Sequence, residues 1–506
     1  MAPKKNPVVL CFFVSLISCQ LLSGLHFYQV KEIMATQVSG PHTVMVILAE
    51  FSDTKHVTSQ DRMHDLILSS LSNYYREVSF NQTWFEGTTT KWYQLPNPEA
   101  FYATGRGWNR DWSKARLFIK AAVDAADDDV DFSKYSLVIV VHAGSMEPLW
   151  HSFYAGLGGI LRTPIETRDR VSINGAVVLA EKNTLGVIVH EVGHYLGLPD
   201  LYDDTLANDG KYSQVYMGDW CLMSVANGQG MCAYSKLRLG WIRSSSISVI
   251  SPRQTGMAEI APLELPTSGI LAVRIPLSSR THYLVEVRQQ IGVDKALPSK
   301  GVLISLVDES IQQFYWEAGR GPVRIQDANP EVPRFRDAAF DVGAGRNPVF
   351  VDLSNNLAIV VLWKANLSYA VQVTTPNKVS TILDASAPIN EAELKIEQAQ
   401  RTQLKSEEAK TFLGKAVEQR DLAIEAFKRN DLESALTYAR NAMSFVDQMW
   451  ASENRYRTAT ATSTVSGTRM TLDQPPASPP EFSPIAIAIA VAALVILAFL
   501  ISKRKR

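Results

Sequence analysis

The sequence predicts an α+β chain in which an α/β domain over 41–245 is followed by an antiparallel β-sandwich over 246–378. An α-helical hairpin over 388–452 then forms a stalk, and a C-terminal transmembrane helix over 484–501 ends the chain. Three observations predict it. Before about residue 200, short apolar runs alternate with segments of helical period, the pattern of a sheet covered by helices. After about residue 245 the texture changes to short β-rich segments separated by turn residues, with no long amphipathic helix between them. From about 390 it changes again, to a stretch rich in Ala, Glu, Lys, Gln and Leu.

Each element has its own grounds. Residues 1–25 carry Lys4 and Lys5 and then run apolar from Val8 to Leu22, the pattern of a signal peptide or an uncleaved signal anchor. The runs at 44–50 (VMVILAE), 137–142 (LVIVVH) and 176–180 (AVVLA) read as buried strands. Residues 60–78 place Met63, Leu66, Ile67, Leu71 and Tyr74 at helical spacing, and 112–126 reads as a second helix. Strands of the sandwich are expected at 270–275, 282–288, 302–307, 348–353, 358–363 and 369–374. Within the hairpin, Arg429-Asn430-Asp431 breaks the helix and Asp431 restarts it. Its alanine-rich faces suit a spacer or self-association. Residues 455–483 are rich in Ser, Thr and Pro and read as an extended linker. The apolar run at 484–501, followed by Lys503, Arg504, Lys505 and Arg506, predicts a membrane span with a cytoplasmic C-terminus. On this reading the protein sits at the cell surface as a single-pass membrane protein with an external N-terminal ectodomain.

With 506 residues and a formal net charge of −1, the chain offers no electrostatic case for nucleic-acid binding. Of its four cysteines only Cys221 and Cys232 lie outside the N-terminal apolar segment. In an oxidising compartment they are a disulfide candidate; the alternative is two buried thiols.

The chemistry concentrates at 190–200, which reads HEVGHYLGLPD. Residues i and i+4 share a helix face, so His190 and His194 can bind one zinc ion. Glu191 is rotated off that pair, where a carboxylate can act as general base. Gly197 marks the end of the helix. No Glu occurs between Glu191 and Glu259, and no His between His194 and His282. A local third ligand is therefore an aspartate: Asp200, Asp203, Asp204, Asp209 or Asp219. The acidic loop at Asp203, Asp204 and Asp209 also offers the hard oxygens that suit Ca2+.

These residues, with the stretches AEFSD at 49–53, YYREVS at 74–79, VVHAG at 140–144, HEVGHYLGLPDLYD at 190–203 and KLRLGW at 236–241, resemble the immune inhibitor A-like metallopeptidases, a family of metzincin type. YLVEVR at 283–288 and DKALP at 294–298 extend the resemblance, which covers roughly 41–375. It implies a metzincin-like catalytic domain, metal ligands His190, His194 and Asp200, Glu191 as the base, and protein or peptide substrates. The metzincin pattern also places a methionine in a tight turn beneath the metal, and Met223 in CLMS is the candidate. Where some relatives of that type carry an oxyanion-stabilising tyrosine, this chain has Val225, and Tyr202, Tyr216 or Tyr234 would have to substitute. His142 and His151 read as structural histidines before they read as cleft residues. The rival to a peptidase is a catalytically silent surface-binding or envelope structural protein on the same fold.

Overall fold

The structure, a computed structural model, describes residues 37–105, 111–144, 153–156, 161–202, 216–311 and 321–466. The chain divides into two compact units. The larger runs to Gln403 and includes Phe412–Asp447; the smaller comprises Leu404–Thr411 and the chain from Gln448.

The larger unit opens with a five-stranded sheet. Its strands are β1 (Gly40–Glu50), β2 (Thr83–Gln94), β3 (Leu137–His142), β4 (Phe153–Gly156) and, after a short β5–β6 ladder (Ile165–Glu166, Ser172–Ile173), β7 (Gly175–Ala180). The spatial order is β2-β1-β3-β7-β4, parallel except for the antiparallel edge strand β4. The central strands are continuous apolar runs because both faces are covered. Val44, Val46, Leu48, Ile139, Val141, Val177 and Leu179 enter one core, and Met45, Ile47, Ala49, Val138, Val140 and Val178 enter the other. The first core is roofed by residues 60–78, α-helical over α1 (Gln60–His64) and α2 (Ser70–Val78) with a π turn over Asp65–Ser69 between them. Beyond α3 (Glu99–Tyr102), α4 (Trp112–Ala126) covers the second core with Phe118, Ile119, Ala122 and Val123. Asp111 caps α4 by accepting the Ser113 N–H.

Two more helices, α5 (Leu185–Tyr195) and α6 (Ala233–Arg238), complete the α/β part. Then come β8 (Ile247–Val249), β9 (Gly256–Ile260), β10 (Ala272–Pro276), β11 (Thr281–Arg288), β12 (Gly301–Asp308), β13 (Val323–Gln326), β14 (Val349–Asp352), β15 (Leu357–Ala365) and β16 (Ser368–Thr374). They form sheets of order β13-β12-β11-β10-β8 and β14-β15-β16-β9, antiparallel apart from the β10–β8 pair. A shared core of Val285, Ile304, Ile275, Ile359, Val361 and Val371 makes them a sandwich.

Two expectations are corrected here. The hairpin is three helices, α7 (Val379–Gln400), α8 (Glu407–Lys428) and α9 (Leu432–Ser466). The first begins before the expected boundary and contains Pro388. Ile389, Ala423, Phe427, Ala435 and Ala439 pack with Val360 and Leu362 on the outer face of the second sheet, so within the larger unit this part is packed rather than a free stalk. The break at Asn430 is present, with Asn430 at φ 59° and Asp431 accepting the Ser434 N–H. In the smaller unit, Glu453 accepts the N–H groups of Lys405 and Ser406.

The second correction concerns the membrane. Among the described residues, no helix is long and apolar enough to cross a bilayer. Each of the long helices α7, α8 and α9 carries several charged side chains. The transmembrane helix and the single-pass surface localisation therefore drop out of the fold description. The segments at 1–25, 484–501 and most of 455–483 lie outside the described residues.

Candidate metal centre

Helix α5 leaves β7 through a tight connection in which Asn183 Oδ1 accepts the Ala180 N–H at 2.6 Å. Thr184 stands at the cap position, without a side-chain hydrogen bond to the helix. The helix is buried along most of its length, including Ile188, Val189, His190, Glu191 and Val192. It ends at a glycine turn. Gly197 has φ 98°, its N–H donates to the His194 carbonyl at 3.0 Å, and the Leu198 N–H donates to the Gly193 carbonyl at 3.0 Å. This is a Schellman closure, which needs a residue in the left-handed region and so favours glycine.

The turn does more than stop the helix. The Leu198 carbonyl accepts the His194 Nδ1–H at 2.9 Å. On the other side, the Leu222 carbonyl accepts the His190 Nδ1–H at 3.0 Å. Both imidazoles therefore present Nε2, with its lone pair, in the same direction. Asp200 follows two residues after Leu198, and its Oδ1 lies 3.1 Å from His190 Nε2 and 3.2 Å from His194 Nε2. All three donor atoms lie within 4.8 Å of one another. Two imidazole nitrogens and a carboxylate oxygen converging on one point are a donor set that suits zinc with a position left open. The residues present thus fit the metal that the sequence implies.

The electrostatics match a site made for a cation. Burial pulls the His194 imidazole down, but the Asp200 carboxylate, with Glu191 beyond it, more than reverses this and holds it at about 9. Burial pushes Asp200 up, yet His194 and His190 together hold it well below the usual carboxylate range. Glu191 is buried and close enough to His194 for its charge to be felt there.

Beneath the helix runs the segment with Met223. Met223 is fully buried, and its carbonyl accepts the Leu201 N–H at 2.8 Å. A Cβ placed on Gly193 would come 2.7 Å from Met223 Sδ, and one on Gly186 would come 2.2 Å from the Ala226 carbonyl oxygen. Glycines seven residues apart therefore let the 222–228 segment press against α5. From above, the Tyr75 hydroxyl donates to the Val189 carbonyl at 2.7 Å.

The other expectations sort themselves by position. Asp219 faces Arg334 at 3.8 Å rather than joining the histidines. Asp203, Asp204, Asp209 and His151 lie outside the described residues, and with them the Ca2+ expectation. Of the three tyrosines, Tyr202 stacks on His190 with ring centroids 6.2 Å apart, whereas Tyr216 and Tyr234 are buried. His142 is a core residue between Phe51 and Phe118, its Nδ1–H given to the Ala143 carbonyl. Cys221 and Cys232 correct the disulfide expectation: both are free, buried thiols, each 3.6 Å from the Ser235 hydroxyl. The Cys232 N–H also points at the Cys221 sulfur, so the pair is satisfied by hydrogen bonding.

Sequence reasoning missed the carbonyls of Leu198 and Leu222, the hydroxyl of Tyr75 and the two crowded glycines. Only the glycines left a signal. A glycine inside a helix lowers its stability by roughly 1 kcal/mol against alanine, so two in one short helix point to a packing requirement.

Comparison with known proteins bears on this segment directly. Residues 162–238 match the family model described as the immune inhibitor A peptidase M6 catalytic domain. Over 211 residues the chain is 27% identical to immune inhibitor A of Bacillus thuringiensis subsp. alesti, covering 33% of this chain and 30% of that protein. The chain thus spans less than a third of the length of that curated relative. The family match contains His190, Glu191, His194, Asp200 and Met223 and is narrower than the 41–375 span of the sequence resemblance. Both matches make this segment similar to the immune inhibitor A-like metallopeptidases.

Proposed function

Proceeding from an immune inhibitor A-like metallopeptidase segment, we propose that the protein is a zinc endopeptidase that hydrolyses peptide bonds in protein or peptide substrates. The observation that carries this reading is the shared position of Asp200 Oδ1, near 3 Å from both His190 Nε2 and His194 Nε2 while each Nδ1–H is held by a carbonyl. His190, His194 and Asp200 would hold the ion. When bound, zinc supplies a Lewis acid that makes water nucleophilic near neutral pH and polarises a carbonyl. Glu191 takes the proton of the attacking water and passes it to the leaving amine, a role its burial beside His194 suits. Of the candidate tyrosines we assign the oxyanion role to Tyr202, whose ring stacks on His190. Met223 and the segment around it keep α5 and its histidines in place.

Metal analysis and casein digestion with the full chain test the reading. We expect about one zinc per chain in the wild type and in Glu191→Gln, with digestion by Glu191→Gln lower by a factor on the order of 10² or more. His194→Ala should lose both zinc and activity. Wild-type protein without zinc, or digestion unchanged by Glu191→Gln, would sink the proposal and favour a silent binding or structural protein.

A further inference from the structure

A second buried charge cluster lies behind the Met223 segment, and the reaction above does not use it. Arg288, at the end of β11, is fully buried. Its Nε lies 3.0 Å from Glu264, Nη1 3.3 Å from Glu286 and Nη2 2.5 Å from Asp294. Nη1 also donates to the Trp220 carbonyl at 2.6 Å. The carboxylates reach further. Asp294 Oδ1 accepts the Gly230 N–H at 2.7 Å, and Glu286 Oε2 accepts the Ala233 N–H at 2.7 Å. The loop 220–233 is thus gripped at three backbone points by charged side chains from the sandwich side. Inside that loop, the Leu222 N–H donates to the Gly230 carbonyl at 3.0 Å, and the Leu222 carbonyl accepts the His190 Nδ1–H.

We infer that Asp294 and Arg288 are positioning residues for His190. They hold Gly230 and Trp220, which fix Leu222, whose carbonyl sets the tautomer and direction of the His190 ring. The inference rests on the reading of His190 as a zinc ligand. Buried charged side chains that bond several backbone groups in this way hold what they touch in place. A carbonyl that orients a metal-binding histidine is a determinant of metal affinity. Glu264 provides the contrast within the same cluster. It bonds Arg288 and the Gln289 N–H and lies beside the Asp294 carboxyl. None of these bonds reaches the 220–233 loop.

Matched truncations in the full chain test this. Zinc affinity is read by chelator competition, site geometry by the visible spectrum of the Co2+-substituted protein, and stability by urea unfolding. Asp294→Ala should weaken zinc binding about tenfold and alter the Co2+ bands, since loss of support to a ligating histidine costs about 10–100-fold. Glu264→Ala should lower the unfolding midpoint and leave zinc affinity within about twofold of wild type. Folded Asp294→Ala with wild-type affinity overturns the inference, and so does an equal loss in Glu264→Ala. Should Asp294→Ala not fold, Arg288→Lys decides, because an ammonium lacks the planar fork that serves Trp220 and Asp294 from separate nitrogens. The same loss of affinity supports the inference and wild-type affinity overturns it. Wild-type protein that binds no zinc refutes the metal reading itself, whereas a zinc-binding wild type with an unaffected variant refutes only the positioning.

Discussion

The chain buries two clusters of ionisable side chains, and they are neutralised in different ways. At Arg288, three carboxylates surround a guanidinium that the chain supplies, and Lys236 stands close by with its Nζ on the Leu263 carbonyl. Burial and the Arg288 charge push Lys236 down, while burial pushes Glu264 and Glu286 up. That cluster brings its own cation. At His190, His194 and Asp200, every converging atom is a lone-pair donor. Buried charges that bring their own counter-ion hold a structure together, whereas converging donors without one define a place for an ion from solution.

Three measurements sharpen the contrast. The largest effect should come from Arg288→Met, which leaves three carboxylates around an uncharged side chain. Breaking a buried ion cluster on one side destabilises by about 3–5 kcal/mol, readable as a shift in the urea midpoint. A loss below about 1 kcal/mol would show that the cluster is less closed than its geometry implies.

Next is His142, a histidine with aromatic neighbours in place of a metal-site carboxylate. Burial holds it neutral, with a pKa of about 4 against an ordinary 6.5. The unfolded chain takes up this proton first as the pH falls, so stability drops on acidification from 6.5 toward 4. The term is about 3 kcal/mol at most. His142→Gln should flatten the stability–pH curve across that window; an unchanged slope would contradict the assignment. The smallest effect is expected from Gly193→Ala. The added methyl meets Met223 Sδ in a fully buried setting and should lower stability by about 1–3 kcal/mol, toward the lower end because a methionine can shift. Calorimetry on the zinc-free chain would check it.

How much of this could be read from the sequence depends on what kind of force fixed each part. Strands buried on both faces announced themselves: 137–142 was expected and Leu137–His142 is observed. The six expected sandwich strands are likewise found with shifted ends. β2 was missed because it is an edge strand with most side chains partly exposed, and its polar TTTK stretch has no apolar run to follow. The start of α7 was missed because Pro388 argues against a helix, and packing on the sandwich overrides that preference. In the site, HEVGH and the glycine turn were legible because their spacing is local. The bonds from Leu222 to His190 and from Tyr75 to Val189 were not, since a carbonyl has no residue identity and each partner lies far away in sequence.

The glycine turn after His194 has a consequence for how the site assembles. His190 and Asp200 are only ten residues apart, and the turn folds that interval back on itself. Closing so short a loop asks little of chain entropy. The three donors are therefore one contiguous peptide segment, and an ion bound to them would tie the end of α5 to the turn that follows it. Removing a bound ion should first loosen that segment while the sheet behind it stays protected from hydrogen exchange.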